Sequence, residues 1–471
     1  MQLDASLTFF AYLVSAALFI LGIRRLRRPE TARSGNTIAA FGMILAVIAT
    51  LFVIDFQSLL LIGIAVAVGG GLGALSAQRV QMTAMPQMVA AYNGVGGGAA
   101  ALIALSEFYH FQAGGEASLV ADITVPLTVL VGSVSFMGSV VAFLKLQEVA
   151  FTGSVTFPLQ QVVNAVLFVG ILVLAANAFS GGAILPFLSP VASVVCVLGA
   201  AALLGVLLVI PIGGADMPIV ISLLNAFTGL AAAASGFVLD NYILIIAGTL
   251  VGASGTILTR LMSGALGRPL GKIIFAGIAA SGTKKKSDDG EERPVNDVSP
   301  EAVGEYLSEE AQKIIVVPGY GLAVAQAQQA MRELTDTLEK QGKEVLFGIH
   351  PVAGRMPGHM NVLLTEAGVS YDKLYDLEDI NPEFEDTDAV IIVGANDVVN
   401  PAANDPDQDT PISGMPVLDV ESAKRVIFVK RSLSPGFAGV DNPLFYDTEN
   451  TMMLFADAKQ GLQDILGSVK S

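Results

Sequence analysis

The 471-residue sequence has no tryptophan, only three histidines and a single cysteine. One cysteine rules out a disulfide within the chain. Cys196 lies inside the apolar run VASVVCVLGAA, where it reads as a small buried side chain and leaves the redox compartment undetermined. Charge is also scarce: 14% of residues are Asp, Glu, Lys or Arg, against 53% hydrophobic, an apolar excess beyond that of ordinary soluble domains. The charge that is present is mostly acidic. The formal net charge of −16, carried mainly beyond Arg260, leaves no cationic face for a phosphate backbone, so nucleic acid is excluded as a partner.

In place of charge the first part of the chain has long apolar runs. A helix needs roughly 20 apolar residues to cross the hydrocarbon layer of a bilayer, where every backbone polar group must be satisfied internally. Nine such runs are legible, at about 6–23, 37–54, 57–77, 87–106, 123–144, 160–179, 190–212, 218–239 and 242–263. The first is not expected to be a cleaved signal, because no basic segment precedes it and no small-x-small site follows. Before Arg260 the cations are Arg24, Arg25, Arg27, Arg28, Arg33, Arg79 and Lys145, and all follow odd-numbered runs. Short cytoplasmic loops retain Lys and Arg, so this bias places the N-terminus outside and the C-terminal part in the cytoplasm.

The runs are rich in small residues, as in GGGLGALSA (69–77), YNGVGGGAAA (92–101), AAAASG (231–236) and GTLVGASGT (248–256). Such stretches let helices approach closely in lipid and are expected to face other helices. They serve tight packing alone, or they also border a narrow polar path lined by Asn93, Ser222, Asn225, Thr228, Ser254 and Thr256. Ionisable groups are nearly absent from the runs, apart from Glu107, His110, Lys145, Glu148, Asp216 and Asp240 near their ends. A proton crossing here would have to use amides, hydroxyls and water, or a titratable group from another subunit.

From about 266 to 310 the composition becomes that of a solvated connector, SGTKKKSDDGEERPVNDVSPE, in which Lys284, Lys285 and Lys286 are either solvated or near lipid headgroups. A second core follows over 311–471. The segment KIIVVPGYG, a helical pattern and then EVLFGIH form a strand, a Gly-rich turn, a helix and a strand, as in a dinucleotide-binding unit. Gly319 and Gly321 suit a tight turn with close approach to a pyrophosphate, although Val324 or Ala325 stands where a third glycine is usual. Further strands are expected at 388–397 and 424–432, with a final helix near 453–469. The fold class is therefore a polytopic α-helical membrane domain of about nine transmembrane helices over 1–265, followed by an α/β Rossmann-like, doubly wound parallel-sheet domain.

Polar residues gather at the expected strand ends: Asn396, Asp397 and Asn400 after one, and Lys430, Arg431 and Ser432 after another. The second strand ends in His350 and not in the carboxylate that would receive an NAD ribose hydroxyl, which disfavours NAD. Lys430 and Arg431 either pair with a 2′-phosphate or form a solvated surface pair. SPGFAGVDNP, with two prolines and two glycines, suits a lid. A channel or transporter with a nucleotide-sensing domain is a rival reading, but no TVGYG-type filter and no inverted repeat is evident.

The motifs GYGLAVAQAQ, FGIHPVAGRMPGHMNVLLTEAGV, VGANDVVNPAA, SGMPVL, KRSLSPGFAGVDNPLF and GGADMPIVISLLN closely resemble the β subunit of the proton-translocating NAD(P) transhydrogenases, along essentially the whole chain. The resemblance implies hydride exchange between NADH and NADP⁺ coupled to inward proton movement. It implies NADP(H) on this chain, NAD(H) on an α partner that also supplies membrane helices, a dimer of such heteromers, and an inner-membrane location. It also implies roles for particular residues. The pyrophosphate turn falls on Gly319 and Gly321, a nucleotide-facing loop on His350, Ala353, Gly354 and Arg355, and the loop near the nicotinamide on Asp397. The 2′-phosphate contact falls on Lys430 and Arg431, the lid on Gly436, Phe437, Ala438 and Gly439, and the proton path on Asn93, Asp216, Asn225 and Ser254. No side-chain acid or base and no metal is expected to be catalytic, because hydride passes directly between two nicotinamides. Two positions depart from the family pattern: Asn93 stands where many relatives have His, and Phe437 where they have Tyr.

Overall fold

A computed structural model describes residues 5–53, 59–114, 119–147, 149, 155–213, 216–265, 270–271, 293–354, 358–405, 410, 412–436 and 438–470. The chain separates into two compact units, Met1–Gly214 with Ile219–Thr259, and Ala215–Pro218 with Arg260–Ser471.

Among the described residues, nine helices are long and apolar enough to cross a membrane. They are α1 (Ala5–Leu26), α2 (Pro29–Leu51), α3 (Leu59–Arg79), α4 (Met85–Gln112), α5 (Leu119–Leu146), α6 (Gln160–Phe179), α7 (Pro190–Val209), α8 (Met217–Val238) and α9 (Tyr242–Ala265). This is a multi-pass membrane protein. The second helix starts earlier than its apolar run, at Pro29, because proline at the first helical position sacrifices only an N–H that has no helical partner.

Small residues set how closely the helices pack. A Cβ added at Gly97 would come within 2.9 Å of the Gly132 carbonyl oxygen, and one at Gly205 within 2.5 Å of that of Val134, so α4, α5 and α7 meet backbone to backbone. The backbones of α8 and α9 approach in the same way, where a Cβ at Gly229 or Gly248 would overlap the backbone of Gly252 or Ala233. The expectation therefore holds for 92–101, 231–236 and 248–256. At 69–77 the close packing is absent within this chain, since α3 buries none of its residues and a Cβ added at Gly69, Gly70, Gly71 or Gly73 would meet nothing within 4 Å, although Tyr92 of α4 donates to Gly73 O at 2.9 Å.

Helix ends in an apolar medium leave carbonyls that need donors. Buried side chains supply them here. Gln87 Nε2 donates to Leu146 O at 3.1 Å, and Gln160 Nε2 to Leu207 O at 2.9 Å. Buried Lys145 donates through Nζ to Ile210 O at 2.6 Å and Ile212 O at 2.7 Å, placing a cation at the negative end of α7.

The second unit is built on a six-stranded, wholly parallel sheet in the order β3-β2-β1-β4-β5-β6. The strands are β1 (Lys313–Pro318), β2 (Glu344–Ile349), β3 (Leu374–Asp376), β4 (Ala389–Val393), β5 (Val426–Lys430) and β6 (Thr451–Phe455). This is the order of doubly wound dinucleotide folds, and its topological switch lies between β1 and β4. Every residue of β4 is buried, as expected of a strand covered on both faces, and Ile315, Val317, Ile392 and Phe428 lie in the core. The helix α11 (Gln328–Lys340) joins β1 to β2 and buries Ala330, Met331, Leu334, Thr335 and Leu338, one stripe at helical spacing.

The sheet has two strands more than the sequence suggested. Residues 453–455, expected to open the last helix, belong to β6, and the helix α13 begins only at Ala458 (Ala458–Lys470). Lys284, Lys285 and Lys286 lie outside the described residues. From Arg293 the chain already joins the sheet unit. Met453 N donates to Asn296 O at 2.8 Å, and α10 (Pro300–Glu309) packs so closely that a Cβ at Gly304 would sit 2.5 Å from Ser468 Cβ. A further helix, α12 (His359–Glu366), follows β2.

Candidate nucleotide site at the strand exits

All strands of a parallel sheet end on one edge, so the exits of β1, β2, β4 and β5 gather there. The tightest element is the turn after β1. Gly319 N donates to Val393 O at 2.8 Å and Gly321 N to Gly394 O at 2.9 Å. A Cβ on Gly319 would overlap the Gly394 carbonyl, and one on Gly321 would lie 2.7 Å from Gly394 Cα. The two glycines thus close the β1 exit onto the β4 exit, and both amides are spent within the protein. Val324 is exposed and does not provide the close packing expected there, Ala325 is partly buried, and Leu322 and Ala323 are fully buried.

After β2, His350 turns inward. Val352 N donates to its Nδ1 at 3.2 Å, so Nδ1 carries no proton and Nε2 donates to Pro416 O at 2.7 Å. Both ring nitrogens are therefore engaged by the protein, and the imidazole pins the 412–418 segment to the β2 exit. Ala353 is buried beside it. Gly354 has φ +108°, and a Cβ there would meet the His359 ring at 2.5 Å. Arg355 lies outside the described residues.

The β4 exit holds the strap that follows β5. Asp397 Oδ2 accepts from Ala438 N at 2.9 Å, and a Cβ on Gly436 would overlap the same carboxylate. Gly439, at φ +70°, turns the strap with its N–H on Gly436 O at 3.1 Å. Buried Asn442 donates to Asn396 Oδ1 at 3.1 Å, and Asn400 Nδ2 donates to Asp441 O at 3.0 Å. Phe437 lies outside the described residues. The anchors Asn442 and Asp441 were not singled out in the sequence, although Asn before Pro443 is a turn signal.

At the β5 exit, Lys430 is half-buried. Its ammonium donates to Ser434 O and stands 4.2 Å over the Phe445 ring. Burial lowers its pKa to about 8, while the Asp397 and Asp441 carboxylates act in the opposite direction. Arg431 is exposed, and Ser432 Oγ donates to Ser434 Oγ at 3.0 Å. Cation, hydroxyls and a strap tied to Asp397 thus meet on one edge of the sheet, an arrangement suited to an anionic, phosphorylated ligand.

The chain's similarities agree with this geometry. The family model described as NAD(P) transhydrogenase beta subunit matches residues 8–468. The chain belongs to this family. It is 45% identical over 475 residues to the NAD(P) transhydrogenase subunit beta of Rhodospirillum rubrum, covering 98% of each chain, and the same figures hold for the protein of that name from strain ATCC 11170. A transhydrogenase beta subunit has an oxidoreductase role, uses pyridine nucleotides and has an alpha partner.

In the membrane unit of this transhydrogenase-family chain, three helices share one buried polar cluster. Asn93 Nδ2 of α4 donates to Ser139 Oγ at 2.9 Å and Ser135 Oγ at 3.3 Å on α5, and Ser135 Oγ pairs with Thr228 Oγ1 of α8 at 2.6 Å. Asn93 Oδ1 is buried without a hydrogen-bond partner. Ser222 joins a separate pair, accepting from Thr259 Oγ1 at 3.0 Å. Asn225 is partly buried on α8, and Asp216 precedes that helix. Ser254 and Thr256 are not brought in: both are exposed on α9 and bond only to carbonyls of their own helix. Ser135 and Ser139, absent from the expected path, carry no distinguishing signal in an α5 sequence rich in serine.

The neutral imidazole of His350 couples stability to pH. Burial holds its pKa near 4, against the usual 6.5, so the unfolded chain binds a proton that the folded domain refuses between those values. Stability is therefore expected to fall as pH drops from about 6.5 to about 4, by up to about 3 kcal/mol, with a smaller slope in His350→Gln. Thermal unfolding of the two proteins across that range checks this.

Proposed function

We propose that this chain binds NADP(H) at the strand exits and, with an NAD(H)-binding alpha partner, couples hydride exchange to inward proton movement through its helix bundle. The observation that carries the reading is Lys430: a half-buried ammonium at the β5 exit, flanked by Arg431 and the Ser432 and Ser434 hydroxyls. Charge-assisted bonds to a 2′-phosphate are among the strongest that a partly buried cation makes, and NAD lacks that group. The Gly319–Gly321 turn fits a dinucleotide by bringing backbone close to it, although the two amides themselves are occupied.

When bound, the nucleotide supplies the hydride chemistry. The protein's part is to position it and keep water out. Asp397 fastens the strap through Ala438 and lies close against Gly436, and in this reading the strap covers the ligand. The described residues contain one dinucleotide-type sheet, so the second nucleotide belongs to the partner, docked near Asp397–Met415. The membrane part over 1–265 is the translocation domain, and the sheet unit, expected over 311–471 and joined by the chain from Arg293, is the NADP(H) domain, held in the cytoplasm by an outside N-terminus in the inner membrane. Coupling is a shift in population between strap conformations driven by protonation in the membrane. Asn93, Asp216, Asn225 and Ser254 are assigned to the proton path, with a titratable group from the partner facing Asn93, whose free Oδ1 orients water. The assembly is a dimer of heteromers.

Two outcomes test this. The preference of the intact, solubilised chain for NADPH over NADH, measured by calorimetric titration, is expected to weaken as pH rises through about 8, where Lys430 loses its charge; Arg431 preserves a residue of it. A preference unchanged from pH 7 to 9.5 contradicts the role of Lys430. Asn93→Ala is expected to reduce proton pumping in reconstituted vesicles only in part, with NADPH affinity intact. Complete loss of coupled proton movement contradicts the water-orienting role.

A further inference from the structure

We infer that Phe445 is the residue that sets the position of the Lys430 ammonium and thereby tunes discrimination between phosphorylated and unphosphorylated pyridine nucleotides. This rests on the reading of Lys430 given above, but Phe445 touches no ligand in it. It acts through the cation.

The argument begins with the ring. Phe445 is fully buried and meets Phe428 edge to face, with centroids 5.0 Å apart and planes at 87°, so it has one orientation. Its place along the chain is equally fixed. Asn442 caps the short turn Pro443–Tyr446, accepting from Leu444 N at 3.1 Å, while its Nδ2 ties that turn to Asn396 at the β4 exit. The face left to Phe445 lies under Lys430, with Nζ 4.2 Å from the ring centroid.

An aromatic face attracts a cation through its quadrupole, most strongly where water is partly excluded. Lys430 is such a case, and its four-carbon stem would otherwise wander among rotamers. The ring on one side and the Ser434 carbonyl on another confine the ammonium, and its remaining donor capacity is left for an anion. Without the ring, the ammonium has to be ordered when ligand binds, and part of the phosphate's binding energy is lost to that ordering. Arg431, on the adjacent position, is exposed.

The test uses the full chain in detergent, with NADPH and NADH as ligands. Phe445→Leu is expected to weaken NADPH binding by about 5- to 20-fold while NADH affinity stays within about twofold. A general structural defect would move both ligands together. In a Lys430→Met background the same change is expected to have no further effect on discrimination, because its target is gone. If Phe445→Leu fails to fold, difluoro-phenylalanine incorporated at 445 keeps the shape and weakens the quadrupole, with a loss in the same direction. Unchanged discrimination in either variant, while Lys430→Met does reduce it, overturns the role of Phe445 alone. If Lys430→Met leaves discrimination untouched, it is the 2′-phosphate reading itself that fails.

Discussion

The sheet unit depends on one close approach of backbone. Gly319 and Gly321 allow the β1 exit to lie on the β4 exit, their amides bonded to Val393 O and Gly394 O, in a space where any Cβ would collide. That contact fixes the segment beginning at Gly394, and the next residues, Asn396 and Asp397, hold the strap. The strap in turn ends at Asn442 and Phe445, beneath Lys430. A steric condition at β1 is thereby transmitted, bond by bond, to a charge two strands away. The glycines of such a turn are commonly read as making room for a ligand. Here they first make room for the protein itself.

The membrane unit solves the same problem of close approach with the same residue. Gly97 against Gly132, Gly205 against Val134, and Gly229 against Gly252 bring helices together where lipid offers no hydrophobic drive for association. Some of the polar groups there are answered by hydroxyls around Asn93, and some helix-end carbonyls by buried amides and Lys145. Asn93 Oδ1 is one of several buried polar atoms there without a hydrogen-bond partner, Gln87 Oε1, Gln160 Oε1 and Asn164 Oδ1 among them.

Some of this was legible in the sequence and some was not, for physical reasons. Nine runs of apolar residues can hardly be misread, since the length of a membrane span is imposed by the bilayer and not by tertiary contacts. The helix starts were less clear, because Pro29 opens α2 within a charged stretch that hydropathy ignores. In the sheet unit the long strands β1, β2, β4 and β5 announced themselves. The three-residue β3 is too short to show a pattern, and β6 merged with the apolar rhythm of the helix after it. Lys430 and Arg431 were conspicuous as a pair, but the difference between them is tertiary: only the fold gives Lys430 an aromatic floor and leaves Arg431 in solvent. His350 is assigned to a nucleotide-facing loop by the family resemblance, and its place at a strand end speaks only against NAD. Its two hydrogen bonds, one to a segment 66 residues away, depend on a chain path that no local pattern encodes.

The account turns on electrostatic recognition of a phosphorylated ribose by the two cations at the β5 exit. Its most direct test is the double charge reversal Lys430→Glu with Arg431→Glu in the full chain, with NADPH and NADH affinities measured side by side. The account predicts that the preference for NADPH disappears or inverts while NADH binding persists. A double variant that still prefers NADPH as strongly as the original protein would contradict it.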